Sequence, residues 1–157
     1  MAKSAAPIVK TIATNRKVGH DFHIHERYEA GVVLVGSEVK SLRDAAVTMA
    51  DGWVEIRKGQ AYLHGIQINE YAQANRWQHD VGRIRKLLMH RHEIDKLATK
   101  TLIKGFTLVP TSLYFKGGHV KVELALVTHK KQHDKREAKK LADDQREIDR
   151  ALKQNRR

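Results

Sequence analysis

Two apolar segments rich in β-branched residues, separated by a pair of glycines, constrain this chain more than any other feature. The segments are residues 108–115 and 120–127, and the glycines between them are Gly117 and Gly118. Glycines at such a junction adopt the backbone conformations of a tight hairpin turn. The pattern therefore predicts two long antiparallel strands. Pro110 has no backbone donor, so its strand lies at a sheet edge or bends there.

Shorter strands are predicted earlier in the chain. Residues 22–25 alternate between apolar and histidine side chains, which is typical of a half-buried strand, and the apolar run 31–35 indicates a buried one. Residues 53–57 and 61–68 flank Lys58-Gly59 and predict another hairpin. Short strands at regular spacing favour a mainly β fold, a small antiparallel barrel.

About two to three helices accompany these strands. Ser37 can cap a short helix that contains Val39 and Leu42. A longer helix is predicted from about residue 90 to residue 103, with Gly105 ending it.

Composition divides the chain into three parts. Residues 1–11 mix small, basic and turn-forming types and predict a flexible leader, and residues 12–128 form the barrel. Residues 129–157 contain 11 Lys and Arg, six Asp and Glu, and no Gly, Pro or aromatic residue apart from histidine. This tail has a thin apolar stripe at helical spacing, too little to order it alone. It is either a solvated charged end or, as we favour, a segment that folds against RNA.

The charge balance points to a polyanionic partner. Lys and Arg number 30 against 18 Asp and Glu, which gives a net charge of +12. The absence of cysteine excludes disulfides, thiolate zinc sites and cysteine nucleophiles. No apolar run approaches the roughly 18 residues that a membrane span needs, and the N-terminus lacks the apolar stretch of a signal peptide. We expect a cytoplasmic protein that does not bind a membrane.

Catalytic motifs are missing. The chain has no P-loop, no dinucleotide-binding fingerprint and no nucleophile elbow. His92-Glu93 begins like a zinc-protease motif, but Lys96 stands where the second histidine belongs. We therefore expect no enzyme activity, no cofactor and no metal.

Basic residues occur in several separate clusters that a barrel could bring together. Each cluster alone is more often a solvated face, but a shared patch would bind phosphates and supply affinity without sequence specificity. The clusters are Asn15-Arg16-Lys17, Lys40 with Arg43, residues 83–86, and Lys116 with Lys121. His20, Tyr28, Trp77 and His133 are candidate stacking surfaces for bases, although for Tyr28 and Trp77 we favour packing in or near the core.

Five motifs in register resemble the SmpB family of SsrA-binding proteins. They are Y-E-A-G at 28–31, G-S-E-V-K-S-L-R at 36–43, R-K-L-L at 85–88, L-Y-F-K at 113–116 and K-K-Q-H-D-K-R-E at 130–137. The similarity runs from about Ile12 to the end of the chain. E-V-K-S-L-R and D-K-R-E occurring together are very specific to this family.

The resemblance implies an OB-type barrel that binds the tRNA-like domain of tmRNA and delivers it to stalled ribosomes in trans-translation. Elongation factor Tu would participate indirectly, through charged tmRNA. The tail would be disordered when free and helical when bound in the empty mRNA channel, near the decoding centre. The alternative is a ribosomal or ribosome-assembly protein with a basic extension.

The resemblance also implies a set of RNA contacts. On the barrel, the tmRNA-binding residues would be Asn15, Arg16, Lys17, His20, Glu29, Lys40, Arg43, Arg83, Arg85, Lys86, Leu88, His90 and Lys121. On the tail, the ribosome-binding residues would be Lys130, Lys131, His133, Asp134, Lys135, Arg136, Lys139 and Lys140. Glu29 is an unusual RNA ligand, and an internal ion pair is an equally good chemical explanation for it. Thr128-His129 replaces a usual glycine, which predicts a stiffer junction with the tail.

Overall fold

A computed structural model of the chain describes residues 6–74 and 76–154. Within these residues the chain forms nine strands, four α-helices and one 3-10 turn. In order they are β1 Val9–Thr14, α1 Lys17–Asp21, β2 Phe22–Val32, α2 Gly36–Arg43, β3 Val47–Thr48, β4 Trp53–Arg57, β5 Gln60–His64, β6 Gln67–Ile68, the 3-10 turn Ala72–Ala74, β7 Arg85–Leu88, α3 Arg91–Thr101, β8 Phe106–Lys116, β9 His119–His129 and α4 Gln132–Gln154.

Six antiparallel strands close into a ring in the order β8-β4-β5-β7-β2-β9, and β9 returns to β8. The ring closes because β8 pairs with β9 along one edge and with β4 along the other, and β8 is long enough to pair with β1 as well. One edge of β8 pairs along its whole length with β9, while Leu108 on the other edge pairs with β4 and the stretch from Ser112 to Lys116 pairs with β1. The predicted mainly β, OB-type barrel is confirmed.

The β8-β9 hairpin has the predicted turn at Gly117 and Gly118, both with positive φ. Pro110 belongs to β8, one of the strands of the ring, and the register between β8 and β9 shifts between Pro110 and Ser112. This irregularity agrees with the predicted bend, and the other edge of β8 pairs with β4 at Leu108 and with β1 from Ser112 onward, on either side of Pro110.

The barrel core is built from leucines of several strands and is completed by two helices. Leu63, Leu108 and Leu124 are buried in one cluster that also includes Leu42 of α2 and Leu97 of α3. Helix α1 covers the opposite face of β8 and β9, where Val18 packs against Val109, Ala125 and Val127. Because both of their faces are covered, these strands carry continuous apolar runs instead of strict alternation.

Several predicted boundaries differ from the structure. Strand β1 begins at Val9 and pairs with β8, so the last part of the predicted leader 1–11 is ordered by backbone pairing, while residues 1–5 lie outside the described residues. Strand β2 ends at Val32, and Val33 and Val35 are exposed, so the buried strand predicted for 31–35 is wrong beyond residue 32. The short helix α1 has no counterpart in the sequence-based prediction.

The tail is helical over Gln132–Gln154, and none of these residues is buried. The helical form expected for the bound state is thus present in the chain, whereas disorder in the free state stays a prediction. None of the helices among residues 6–74 and 76–154 is long and apolar enough to cross a bilayer.

Two glycines with positive φ allow a matched stability test. Gly65 has φ +71°, and a Cβ there would overlap the Asp51 carbonyl oxygen, whereas Gly105 has φ +91° with open space around it. We expect Gly105→Ala to lower the free energy of unfolding by about 1–2 kcal/mol through backbone strain alone. Gly65→Ala should cost clearly more because the Asp51 backbone must also move. Urea denaturation of both variants tests this, and equal losses would contradict the close approach at Gly65.

Candidate nucleic-acid interface

Four of the predicted RNA-binding residues meet in one groove. Glu29, Leu88, His90 and Lys121 line a depression of about 340 Å³ on the outside of the barrel. Strand pairing brings them together, since Gly31 of β2 lies opposite Leu88 of β7 on one side and opposite Lys121 of β9 on the other. A polar acceptor, an apolar side chain, an imidazole and a cation therefore face a common space. We call this surface the β2-β7 groove.

Glu29 is held in place by groups of the protein itself. Its carboxylate accepts hydrogen bonds from the Tyr114 hydroxyl and from Lys116 Nζ, the latter at 3.1 Å. The bond from Tyr114 and then the one from Lys116 hold the pKa of Glu29 below its usual value against the opposing effect of burial. The internal ion pair considered for this residue is therefore present. Glu29 keeps a side-chain exposure of 40%, so its ionised carboxylate can still accept from an outside donor.

Arg85 does not lie on the surface of the barrel, so its predicted phosphate contact is wrong. Its side chain is 1% exposed, and its guanidinium donates to Glu38 at 3.0 Å and to the carbonyl of Ile66 at 2.9 Å. The reason is the alternation of a β-strand. Arg85 and Leu87 of β7 face the core, while Lys86 and Leu88 are exposed.

The partner of Arg85 is Glu38, which is fully buried at the start of α2. Arg83 also donates to Glu38, from Nε at 3.1 Å and from Nη2 at 2.7 Å. Burial alone would raise the pKa of Glu38, but the hydrogen bonds from Arg83 and the Val35 amide and the charges of both arginines hold it below its usual value. Arg83 therefore has mainly an internal role, with a side chain that stays one-third exposed.

The cap at the start of α2, which the sequence predicted for Ser37, is provided by Glu38. The N-cap of α2 is Val35, whose N–H donates to the Glu38 carboxylate at 3.0 Å. The Ser37 hydroxyl instead contacts His79 Nδ1 at 2.9 Å.

The residues around α1 form a second group. Asn15 fixes the turn into this helix, since its Nδ2 donates to the Met49 carbonyl at 3.2 Å and its Oδ1 accepts from the Lys17 N–H at 3.2 Å. Arg16, Lys17 and His20 are exposed around it. Asn15 is thus a positioning residue, and the other three present the polar and charged groups.

A cleft beside α2 forms the third group and contains a residue that sequence reasoning misjudged. Lys40 and Arg83 line it together with Arg76 and Trp77, and its volume is about 600 Å³. Trp77 is 77% exposed, so the expected packing in or near the core is wrong for this residue. Tyr28, in contrast, is partly buried, as expected. Arg43 and Lys86 are exposed outside the cleft.

The root of the tail is tied to α1 and β2. The Lys130 N–H donates to the Asp21 carbonyl at 2.9 Å, and its Nζ donates to the Gly19 carbonyl at 3.0 Å. Asp134 Oδ2 lies 3.4 Å from His23 Nε2, and Lys135 Nζ lies 3.5 Å from Asp21 Oδ1.

Beyond this root the tail presents its polar groups to solvent. His133 is 78% exposed, with its Nε2 3.6 Å from the Glu137 carboxylate. The exposed cations predicted to meet the ribosome are Lys131, Arg136, Lys139 and Lys140. Thr128 and His129 belong to β9 and pair with β2, which agrees with a stiff junction.

Comparison with known proteins identifies the family. The model described as SmpB protein matches residues 12–154. The chain belongs to the SmpB family. The family predicted from the five motifs is therefore confirmed.

Curated relatives match along nearly their whole length. An SsrA-binding protein of Geobacter sulfurreducens is 52% identical over 145 residues, covering 92% of this chain and 95% of that protein. An SsrA-binding protein of Geobacillus thermodenitrificans is 49% identical over 145 residues, covering 92% and 94%. A chain in a solved structure of tmRNA-SmpB at the center of the bacterial ribosome matches with a TM-score of 0.65 and 40% identity, covering 82% of this chain and 87% of that chain.

The opposite orientations of Arg85 and Lys86 predict unequal losses of stability for their alanine variants. Arg85→Ala leaves Glu38 buried with one partner fewer, and we expect a loss of about 3–5 kcal/mol in the free energy of unfolding. Lys86→Ala removes an exposed side chain and should change it by less than about 0.5 kcal/mol. Urea denaturation compares the two neighbours directly. Similar losses for both variants would contradict the burial of Arg85.

Proposed function

We propose that this protein binds the tRNA-like domain of tmRNA with its barrel and delivers that RNA to stalled ribosomes in trans-translation. The observation that carries the proposal is the convergence of Glu29, Leu88, His90 and Lys121 in the β2-β7 groove. The names of the SsrA-binding relatives and the matching tmRNA-SmpB structure support the same function.

The β2-β7 groove offers the contacts that a folded RNA needs. Lys121 and the nearby exposed Lys86 attract phosphates, which supplies affinity and salt dependence. Leu88, 56% exposed, offers an apolar surface to a sugar or base. Glu29, already oriented by Tyr114 and Lys116, accepts from a base amine or a 2′-hydroxyl. Recognition therefore combines charge with fixed acceptor geometry, which distinguishes one folded RNA from bulk RNA.

The buried arginine has an indirect part in this binding. Arg85 anchors β7 to Glu38 and to the Ile66 carbonyl, and β7 carries Lys86 and Leu88 on its other face. We assign Arg85 as a positioning residue, and the loss of its ion pair would displace the groove without removing an RNA contact.

The tail acts separately from the barrel. Since no residue of α4 is buried, the helix beyond its contacts at Asp134 and Lys135 is available to another surface. Lys131, Arg136, Lys139 and Lys140 would contact ribosomal RNA phosphates, and His133 would stack on a base at the decoding centre. Ordering a free tail costs about 1–2 kcal/mol per residue in backbone entropy, so it is expected to order where many charge-assisted contacts offset that cost.

The protein acts by binding and mimicry. It is not an enzyme and needs no cofactor in this proposal, its encounter with elongation factor Tu is indirect through charged tmRNA, and it works in the cytoplasm.

A competition titration tests the barrel's part. We expect tight binding of the full chain to the isolated tRNA-like domain that a large excess of bulk tRNA barely displaces. Lys86→Ala should reduce the log–log salt slope of binding by roughly one unit. Lys104→Ala, an exposed cation beyond the far end of α3, is the matched control and should leave the slope unchanged. Complete displacement by bulk tRNA would favour the ribosomal-protein alternative.

Removal of the tail tests the division of labour. A chain ending at Lys131 lacks α4 and should bind the tRNA-like domain within about twofold of the full chain, because α4 has no buried residue to lose. Rescue of stalled ribosomes in a reconstituted translation assay should fall to background. A large loss of tmRNA affinity in the shortened chain would show that the tail belongs to the barrel's binding surface.

A further inference from the structure

Trp77 is the most exposed tryptophan, and it lies outside the β2-β7 groove. Its exposure is 77%, and the guanidinium of Arg76 lies 5.4 Å from the centre of its ring. Trp53, the other tryptophan of the chain, is 45% exposed and stacks on His64 with ring centroids 4.2 Å apart. Trp53 thus has an aromatic partner within the barrel. An indole exposed as far as that of Trp77 leaves a large apolar surface in water.

The residues after Trp77 hold its loop in place. Gln78 accepts from the Tyr71 N–H at 3.0 Å, and His79 contacts both Ser37 Oγ at 2.9 Å and the Ile68 carbonyl at 2.8 Å. The Trp77 N–H itself donates to the Ala74 carbonyl at 3.1 Å. These contacts fix the backbone on both sides of a side chain that stays outside. The exposure of Trp77 is therefore a property of an anchored loop and not of a frayed one.

The cleft next to Trp77 is lined by cations and by no acid among the described residues. Arg76, Lys40 and Arg83 lie along it. Glu38 does not line the cleft, and its fully buried carboxylate is paired with Arg83 and Arg85. An exposed aromatic ring beside several cations is typical of sites that bind single-stranded nucleic acid, because the ring stacks on a base and the cations contact the phosphates of the strand. The positive charge disfavours a purely apolar protein partner.

The cleft and the β2-β7 groove are connected by residues 83–88, of which Arg85–Leu88 form β7. Arg83 lines the cleft, Leu88 lines the groove, and Lys86 is exposed between them. Five residues of extended chain span about 17 Å. An RNA bound in the groove can therefore reach the cleft, and the exposed Lys86 lies between the two sites.

We infer that the cleft binds an unpaired nucleotide, with its base stacked on the indole of Trp77 and its phosphates at Lys40 and Arg76. The inference rests on the proposed function, since it assigns a further contact to the same RNA-binding barrel. The nucleotide belongs either to the tRNA-like domain or to ribosomal RNA, and both offer the same chemistry to the cleft.

Fluorescence tests the stacking directly. In a Trp53→Phe chain, Trp77 is the remaining tryptophan, and in a Trp77→Phe chain, Trp53 is. We expect single-stranded hexauridylate to quench the emission of the first chain and to leave that of the second unchanged. This measurement does not require tmRNA, so it tests the cleft even if the preference for the tRNA-like domain fails. Unquenched Trp77 emission at saturating hexauridylate would overturn the inference.

Affinity measurements identify the source of the nucleotide. We expect Trp77→Ala to weaken binding about 5- to 150-fold, the effect of losing one stacked base, while Trp77→Phe keeps most of the affinity because a phenyl ring also stacks. A loss with the isolated tRNA-like domain assigns the nucleotide to tmRNA, and a loss only with the small ribosomal subunit assigns it to ribosomal RNA. Trp77→Ala binding both within twofold of the unchanged chain would overturn the inference. Since Trp77 is exposed, its replacement should leave the urea midpoint of unfolding unchanged, which separates lost stacking from unfolding.

Discussion

The positions of the groove and the cleft on this barrel depend on one buried carboxylate, that of Glu38. It caps α2 through the Val35 N–H, and it binds the guanidinium groups of Arg83 and Arg85. Arg85 in turn donates to the Ile66 carbonyl and so joins β7 to the segment that precedes β6. Helix α2 carries Lys40 into the cleft, and β7 carries Leu88 into the groove. Removing one partner of such a buried charge is strongly destabilising, even where replacement of the whole set by apolar residues would be tolerated.

Acidic side chains in this basic protein organise the cations around them. Glu29 is bound by Tyr114 and Lys116, and Glu38 by two arginines. Asp21 lies between His20 and Lys135, and the hydrogen bond from His20 is the main reason that its pKa is lowered. The net charge of +12 attracts polyanions, but the placement of these carboxylates decides which cations remain free to contact them.

The sequence predicted the barrel well because its evidence was local. The Gly117-Gly118 turn, the alternation at the start of β2 and the span of α3 all depend on neighbouring residues, and each is present in the structure. The burial of Arg85 could not be inferred in the same way, since its partner Glu38 lies 47 residues away. The only local indication was strand alternation, which pairs Arg85 with Leu87 rather than with Lys86. The exposure of Trp77 likewise depends on anchors at Tyr71 and Ser37 that no local pattern reveals.

The tail's attachment differs in kind from these buried contacts. Beyond Lys130, its side-chain contacts with the barrel among the described residues are Asp134 with His23 and Lys135 with Asp21, and each of these four side chains is 35–51% exposed. Exposed ion pairs of this type contribute little to stability and are screened by salt. By contrast, the Lys130 N–H continues the backbone pairing beyond β9 and fixes where the helix starts. The chain therefore has a firmly placed root and a weakly held helix, and a strongly negative surface such as ribosomal RNA can compete for that helix without disturbing the barrel.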